Sequence, residues 1–201
     1  SSPIYNTNLQ PYAFDIEMAK QLLAEAGWED SDNNGILDKV IEGKRIDLRL
    51  TYNLNASSEQ SRNIGVLLQD NARQAGFDIE LEGLEPRVLI GNIRQKNYQI
   101  ASAGSTIPTT WNPKQRYHTG GDNRTGFGNA ETDALIDRIA LTMNTEERTA
   151  MYKELQKAIY DQYVEIFLFV PQGRTAVHQR FESEPSPVTP GFQVRFFDLV
   201  L

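Results

Sequence analysis

Between Ile46 and Gly104 the sequence switches repeatedly between two hydrophobic periods, and this switching limits the folds open to the chain more than any other feature. In IDLRLTYN, from Ile46 to Asn53, the residues Ile46, Leu48, Leu50 and Tyr52 alternate with polar neighbours, the period-two pattern of a half-buried strand. Ser57, followed three residues later by Gln60, reads as a capping box opening a helix. Its apolar face is Ile64, Leu67, Leu68, Ala72 and Ala75, and Gly76 stops it. Phe77, Ile79 and Leu81 then alternate with acidic residues as a second strand. Pro86 suits the first position of a helix carrying Leu89, Ile90 and Ile93 on one face, and YQIASAG, from Tyr98 to Gly104, is a third strand. Strand, helix, strand, helix, strand is the rhythm of βαβ units, so the expected class is α/β, a parallel or mixed sheet with helices packed on it.

The flanks continue the pattern. Asp15 reads as an N-cap with Glu17 in the first turn, and Phe14, Met18, Leu22 and Leu23, with Ala19 and Ala26, recur at helical spacing until Gly27. After position 124, GFGNAETDALIDRIALTMN predicts a helix with Leu135, Ile136, Ile139, Ala140 and Met143 inward. Thr145 is placed as the cap of a further helix with Met151, Leu155, Ala158 and Ile159 inward. EIFLFVPQ, from Glu165 to Gln172, is expected as a buried strand. RTAVHQRF, a proline-rich passage and the alternating FQVRFFDLVL complete the chain.

Tyr98 to Arg124 holds a different kind of segment: the short strand runs into a long stretch rich in Ser, Thr, Gly, Pro and Asn, with Trp111 as its main anchor. Long connections in compact domains commonly serve as binding surfaces, because ordering them must be repaid by something else. The alternative is a plain surface crossing.

At 201 residues the chain suffices for one large domain. Its net charge of -7, with scattered Lys and Arg, argues against a nucleic-acid binder. The sequence has no cysteine, which excludes disulfides and thiolate chemistry. No apolar run is long enough to cross a bilayer. SSPIYNTN at the start has neither a charged stretch nor an apolar signal core, so an export signal is expected outside this sequence.

Catalytic groups are sparse. His118 and His178 have no second His or acid at metal-ligand spacing beside them, and each reads as an ordinary loop or strand-edge histidine. No Gly-x-Ser-x-Gly elbow occurs. Gly126 and Gly128 begin a dinucleotide-like fingerprint, but Glu131 stands where its third glycine belongs, so GFGN reads as a turn into a helix cap. In EDSDNNGILDK, Asp30, Asp32, Asn34 and Gly35 imitate half of an EF-hand loop. The twelfth position is Ile41 rather than an acid, and a self-capped turn is the simpler account, with Asp38 a partial substitute ligand.

The run PYAFDIEMAKQLLAEAGWEDSDNNGILDK resembles the hallmark segment of the family 5 extracellular solute-binding proteins, receptors of ABC importers for oligopeptides and dipeptides; Tyr12, Asp15, Lys20, Leu22, Leu23, Glu25, Ala26, Gly27 and Trp28 carry the likeness. YQIASAG, Pro113, NRTGFGNAETDALID and EIFLFVPQGRTAVHQRF are similar to later blocks of the family in the same order. The resemblance implies one lobe of a two-lobe periplasmic-binding-protein-like receptor: positions 1–180 as the second lobe, 181–201 as a tail returning to a larger first lobe that precedes Ser1. It also implies that the loop after YQIASAG faces the cleft. Aligning Pro113 with the family's proline puts Thr109 where oligopeptide receptors carry an aspartate for the peptide amino terminus, so a free-amine peptide loses its usual partner.

The expected function is therefore capture of a peptide or another small polar solute, with a membrane permease of an ABC importer as partner. The protein is expected to be monomeric, not an enzyme, without cofactor or metal, and periplasmic or extracytoplasmic, any membrane tether lying in an amino-terminal part outside this sequence. The expected ligand-binding residues are Ser105, Thr106, Thr109, Thr110, Trp111 and Asn112, with Arg124 as a carboxylate partner. A hydrolase using paired carboxylates and a protein-interaction module are the alternative readings.

Overall fold

A computed structural model describes residues 3–104 and 112–169 of the chain. The chain divides into two compact units, Ser1–Ser105 with Asn112–Val164, and Thr106–Trp111 with Glu165–Leu201. All the elements described below lie in the first unit; of the second, only residues 165–169 are described.

The centre is a parallel sheet of three strands in the order β4-β3-β5, where β3 is Arg49–Asn55, β4 is Asp78–Leu84 and β5 is Ile100–Ala101. Parallel neighbours cannot be joined by a tight turn, and here the crossovers are the helices α2 (Glu59–Gln74) and α3 (Pro86–Gln95). From β3 the chain moves one way to β4 and then back across β3 to β5. Right-handed crossovers in opposite directions put the two helices on opposite faces. Tyr52, Leu54, Ile79 and Ala72 form the buried cluster under α2, with Leu68, Phe77, Leu81 and Ile100 packed around it.

The strand expected over Ile46–Asn53 is in fact two strands of different sheets. β2 (Lys44–Asp47) pairs antiparallel with β1 (Asp38–Ile41), and Leu48, whose amide donates to the Leu37 carbonyl at 2.7 Å, is the joint before β3. The apolar alternation runs through this joint unbroken, so periodicity could not locate it. The third strand is also shorter than YQIASAG, because only Ile100 and Ala101 find partners, on Tyr52 and Asn53. Of the buried strand expected over Glu165–Gln172, residues 165–169 belong to neither described sheet, and Ile166, Phe167, Leu168 and Phe169 are exposed; 170–172 lie outside the described residues.

Two helix starts shift by one residue. The cap of α2 is Ser58, whose hydroxyl accepts from the Ser61 amide, while the Ser57 amide is taken by the Asn55 side chain. The cap of α6 (Thr145–Asp161) is Asn144, which accepts from the amides of Glu146 and Glu147. Asp15 caps α1 (Ile16–Glu25) and Pro86 opens α3, both as expected from the sequence.

The inner faces differ in phase from the expectation. Leu67 is exposed because α2 meets the sheet through Gly65, where a Cβ would stand 3.0 Å from Leu54, 3.2 Å from Leu81 and 3.3 Å from Tyr52. Ile90 and Met143 are likewise exposed, Met143 lying beyond the end of α5 (Ala130–Leu141). No residue of α1 is buried, and Phe14, Met18 and Leu22 form an exposed stripe.

A second core lies between α4 (Lys114–Tyr117), α5 and α6, built from Tyr117, Phe127, Leu135, Ile136, Ile139, Met151, Leu155 and Ile159. The amino-terminal arm runs along α6: Asn6 donates from its amide to Gln156 and from its side chain to the Lys153 carbonyl, and Tyr12 stacks on Tyr160 at 4.4 Å.

The acidic turn before β1 closes on itself. Asp30 takes the amides of Asn34 and Gly35, and the nearly buried Asp38 takes the Ser31 amide and hydroxyl with Arg45 at 3.3 Å. Asp32 pairs with Arg45, whose hydrogen bond holds the Asp32 carboxyl below the usual carboxylate range. Millimolar calcium is expected to leave the melting temperature unchanged to within about a degree, because these oxygens already have donors; a chelator-reversible rise of several degrees in a calorimetric scan would count against this.

A second prediction concerns the sheet. Gly65→Val puts two methyl groups into a contact with no room for one, and is expected to lower unfolding stability by roughly 1–3 kcal/mol in denaturant melts with an unchanged m-value.

Candidate functional site

Because β3, β4 and β5 all run the same way, their carboxyl ends share one edge, and in open α/β sheets that edge is where ligands sit. Here Asn55 pairs with Leu84, the Ala56 amide donates to the Leu84 carbonyl at 3.0 Å, and the Ser102 amide donates to the Asn53 carbonyl at 3.1 Å. α2 and α3 both begin at this edge, so their positive ends face it. α2 is capped by Ser58, whereas Glu85 gives α3 no side-chain cap. From the same edge Ser102, Ala103 and Gly104 leave β5 and enter the long loop, Ala103 and Gly104 being exposed.

Ser105, Thr106, Thr109, Thr110 and Trp111 lie outside the described residues. Asn112 is described: it is exposed, and its side-chain oxygen takes the Lys114 amide at 2.9 Å as the chain enters α4. Arg124 is half-buried, reaches Asp122 at 3.3 Å, and accepts the Tyr98 hydroxyl on its carbonyl at 2.8 Å. That contact fixes the Arg124 backbone beside Tyr98, and its side chain stays 41% exposed. His178 lies outside the described residues.

What sequence reasoning missed is the clamp that fixes the loop's downstream end. The loop does not stay irregular to Arg124: Pro113 is fully buried and starts the helical turn α4. α4 is held to α5 by Lys114, which reaches Asp137 at 2.5 Å, and by Thr119, whose amide donates to Asp133 at 2.9 Å and whose hydroxyl donates to the other Asp133 oxygen. His118 stands between them. Its Nδ1 lies 3.7 Å from Asp133 and its Nε2 3.7 Å from Asp137, so it is not the plain loop histidine expected from sequence. The turn that follows folds back so tightly that a Cβ on Gly121 would meet the carbonyls of Lys114 and Gln115 at 2.5 and 2.6 Å. The available signal was Asp133 and Asp137 four residues apart on one helix face.

Both carboxylates are held ionised. Burial pushes Asp133 up, but hydrogen bonds from the Thr119 hydroxyl and amide, with the nearby Lys114 ammonium, outweigh it and hold it below the ordinary aspartate value. The Lys114 hydrogen bond does the same for Asp137 against the opposing effect of burial. GFGN is the turn expected: Asn129 caps α5 in a full capping box with Thr132. Among the described residues no group of three or more His, Cys, Asp or Glu is arranged to hold a metal.

A shallow depression lined by Arg49, Thr51, Gln69, Asp78 and Glu80 lies at the amino-terminal ends of β3 and β4. It is at the wrong edge of the sheet for a ligand, and Arg49 and Asp78 pair with each other across it at 3.1 Å.

Comparison with known proteins agrees with this architecture. Residues 1–127 match the family described as bacterial extracellular solute-binding proteins, family 5 middle, and the chain belongs to that family. It is 24% identical over 177 residues to the oligopeptide-binding protein AppA of Bacillus subtilis, covering 85% of this chain and 32% of the relative. It is also 24% identical over 176 residues to the nickel-binding periplasmic protein of Escherichia coli, covering 82% and 32%. Among solved structures, an oligopeptide-binding protein from Thermus thermophilus complexed with a pentapeptide superposes with a TM-score of 0.74 at 18% identity, over 81% of this chain and 31% of that one. NikA from Brucella suis, in complex with Fe(III)-EDTA, superposes at 0.68 with 25% identity over 81% and 33%. The chain thus spans about a third of the length of the curated relatives it matches.

The clamp carries a pH prediction. Aspartates of the unfolded chain titrate near about 3.9, so carboxylates with lower folded values contribute stability that is fully present above that pH and lost as pH falls through the folded values. Urea melts are expected to show stability falling below about pH 4, with Asp137→Asn flattening that slope.

Proposed function

We propose that this chain is the second lobe of a two-lobe receptor that captures a small polar solute or peptide for the permease of an ABC importer. Positions 1–180 form the lobe, and 181–201 return to the first lobe. The observation that supports this best is the carboxyl edge of the parallel sheet, from which Ser102–Gly104 lead directly into the loop and behind which α4 is clamped to α5. Ser105, Thr106, Thr109, Thr110, Trp111 and Asn112 supply the contacts, and Arg124, partly engaged by Asp122, pairs with a solute carboxylate. Family relatives named for oligopeptides and for nickel show that one scaffold serves different solutes, and Thr109 in place of an acid favours a solute without a free ammonium group. The receptor works outside the cytoplasm, as a monomer, without cofactor, with its tether supplied by the amino-terminal part. A net charge of -7 does not suit nucleic acid.

Hydrolysis is disfavoured by the clamp itself. Asp133 and Asp137 are both ionised and already accept hydrogen bonds, which leaves neither as a general acid.

Mass spectrometry of solute copurified with the full-length receptor identifies the ligand, and Trp111→Ala is then expected to weaken its binding at least about tenfold with the unfolding transition unmoved, as removal of a stacking contact would. A loss of roughly 3–5 kcal/mol of stability would instead mark Trp111 as a core residue and remove the loop's main anchor.

A further inference from the structure

We propose that His118 is a proton-operated switch at the junction of α4 and α5, changing the hydrogen-bond partner of the Gly120 amide. The Gly120 amide donates to His118 Nδ1 at 2.8 Å, so in this state Nδ1 is an unprotonated acceptor and the ring proton sits on Nε2, facing Asp137 at 3.7 Å. A proton added at Nδ1 would put two donors head to head. An acceptor for the new N–H is the Asp133 oxygen 3.7 Å away, and the Gly120 amide then loses its partner.

Among the described residues, the charged groups near the ring either favour this outcome or are already engaged. Asp133 and Asp137 come from α5. Lys114, from α4, is neutralised by Asp137 at 2.5 Å, and the Arg116 guanidinium lies over the Tyr117 ring. The imidazole side chain is 16% exposed, while Gly120 and its hydrogen bond to the ring lie at the surface, so the freed amide turns to water. The backbone that changes is short and defined: the Gly121 amide still donates to the His118 carbonyl at 2.9 Å, so the turn persists while its Gly120 peptide is freed. That peptide lies between α4, which ends the solute loop, and Arg124. Protonation of the ring therefore alters the support of the loop. This last consequence rests on the receptor reading above, whereas the switch does not.

The test uses the 201-residue chain carrying His178→Gln, which leaves His118 as its only imidazole. Long-range nitrogen–proton NMR of the ring and the Gly120 amide resonance are followed from pH 8 to pH 5. The expected result is a neutral ring with the proton on Nε2, and a Gly120 amide that shifts with the same midpoint as the ring. His118→Asn, which retains an acceptor but does not titrate, should hold the Gly120 resonance constant. Asp133→Asn should lower the ring midpoint by removing the anion that receives the new N–H. A neutral ring protonated on Nδ1, a Gly120 amide that stays still while the ring titrates, or an unchanged midpoint in Asp133→Asn each overturns the proposal. If the full-length receptor binds no solute at either pH while Gly120 still titrates with the ring, the receptor reading fails and the switch stands.

Discussion

Parallel pairing of β3 with both of its neighbours is the constraint on which the rest of the sheet unit depends. It forbids short turns, so α2 and α3 must cross over, and the opposite directions of those crossovers cover both faces of a sheet only three strands wide. The same constraint gathers three carboxyl ends and two helix starts at one edge. It also brings α2 close to the sheet, and at Gly65 there is no room for a side chain against Tyr52, Leu54 and Leu81. A shared carboxyl edge and a tightly packed core are thus two results of one topological choice.

Beyond β5 the physical basis of order changes. The sheet region is held by apolar burial, whereas the exit of the long loop is held by polar contacts: Lys114, His118 and Thr119 on one side, and the carboxylates of Asp133 and Asp137 on the other. Exposed ion pairs contribute little individually. Here they act beside the buried Pro113, Tyr117 and Phe127, so the charges orient a helical turn that apolar packing has already anchored. Such an arrangement leaves the support of the loop responsive to pH without involving the sheet.

The length comparison gives the exposed stripe of α1 its context. A helix of ten residues is marginal by itself in water, and Phe14, Met18 and Leu22 are a face of the kind that packing normally covers. The relatives are about three times as long as the part matched here.

The sequence by itself determined the elements whose signal is local. Asp15 and Pro86 start helices because capping and a fixed φ act within one turn, and Gly27 and Gly76 follow helix ends because their backbone is left-handed. The α/β class followed from alternating periods, and the family from the spaced residues of the Tyr12–Trp28 block. Tertiary structure alone decided which strand an alternating run belongs to. Ile46 and Leu50 share a period but join different sheets, because strand partners are chosen across the chain and leave no mark on periodicity. It also decided the phase of α2, since a close approach at Gly65 turns Leu67 outward. His118 belongs to the same class: its acids are distant in sequence, and only the packing of α4 against α5 brings an unremarkable loop histidine between two carboxylates.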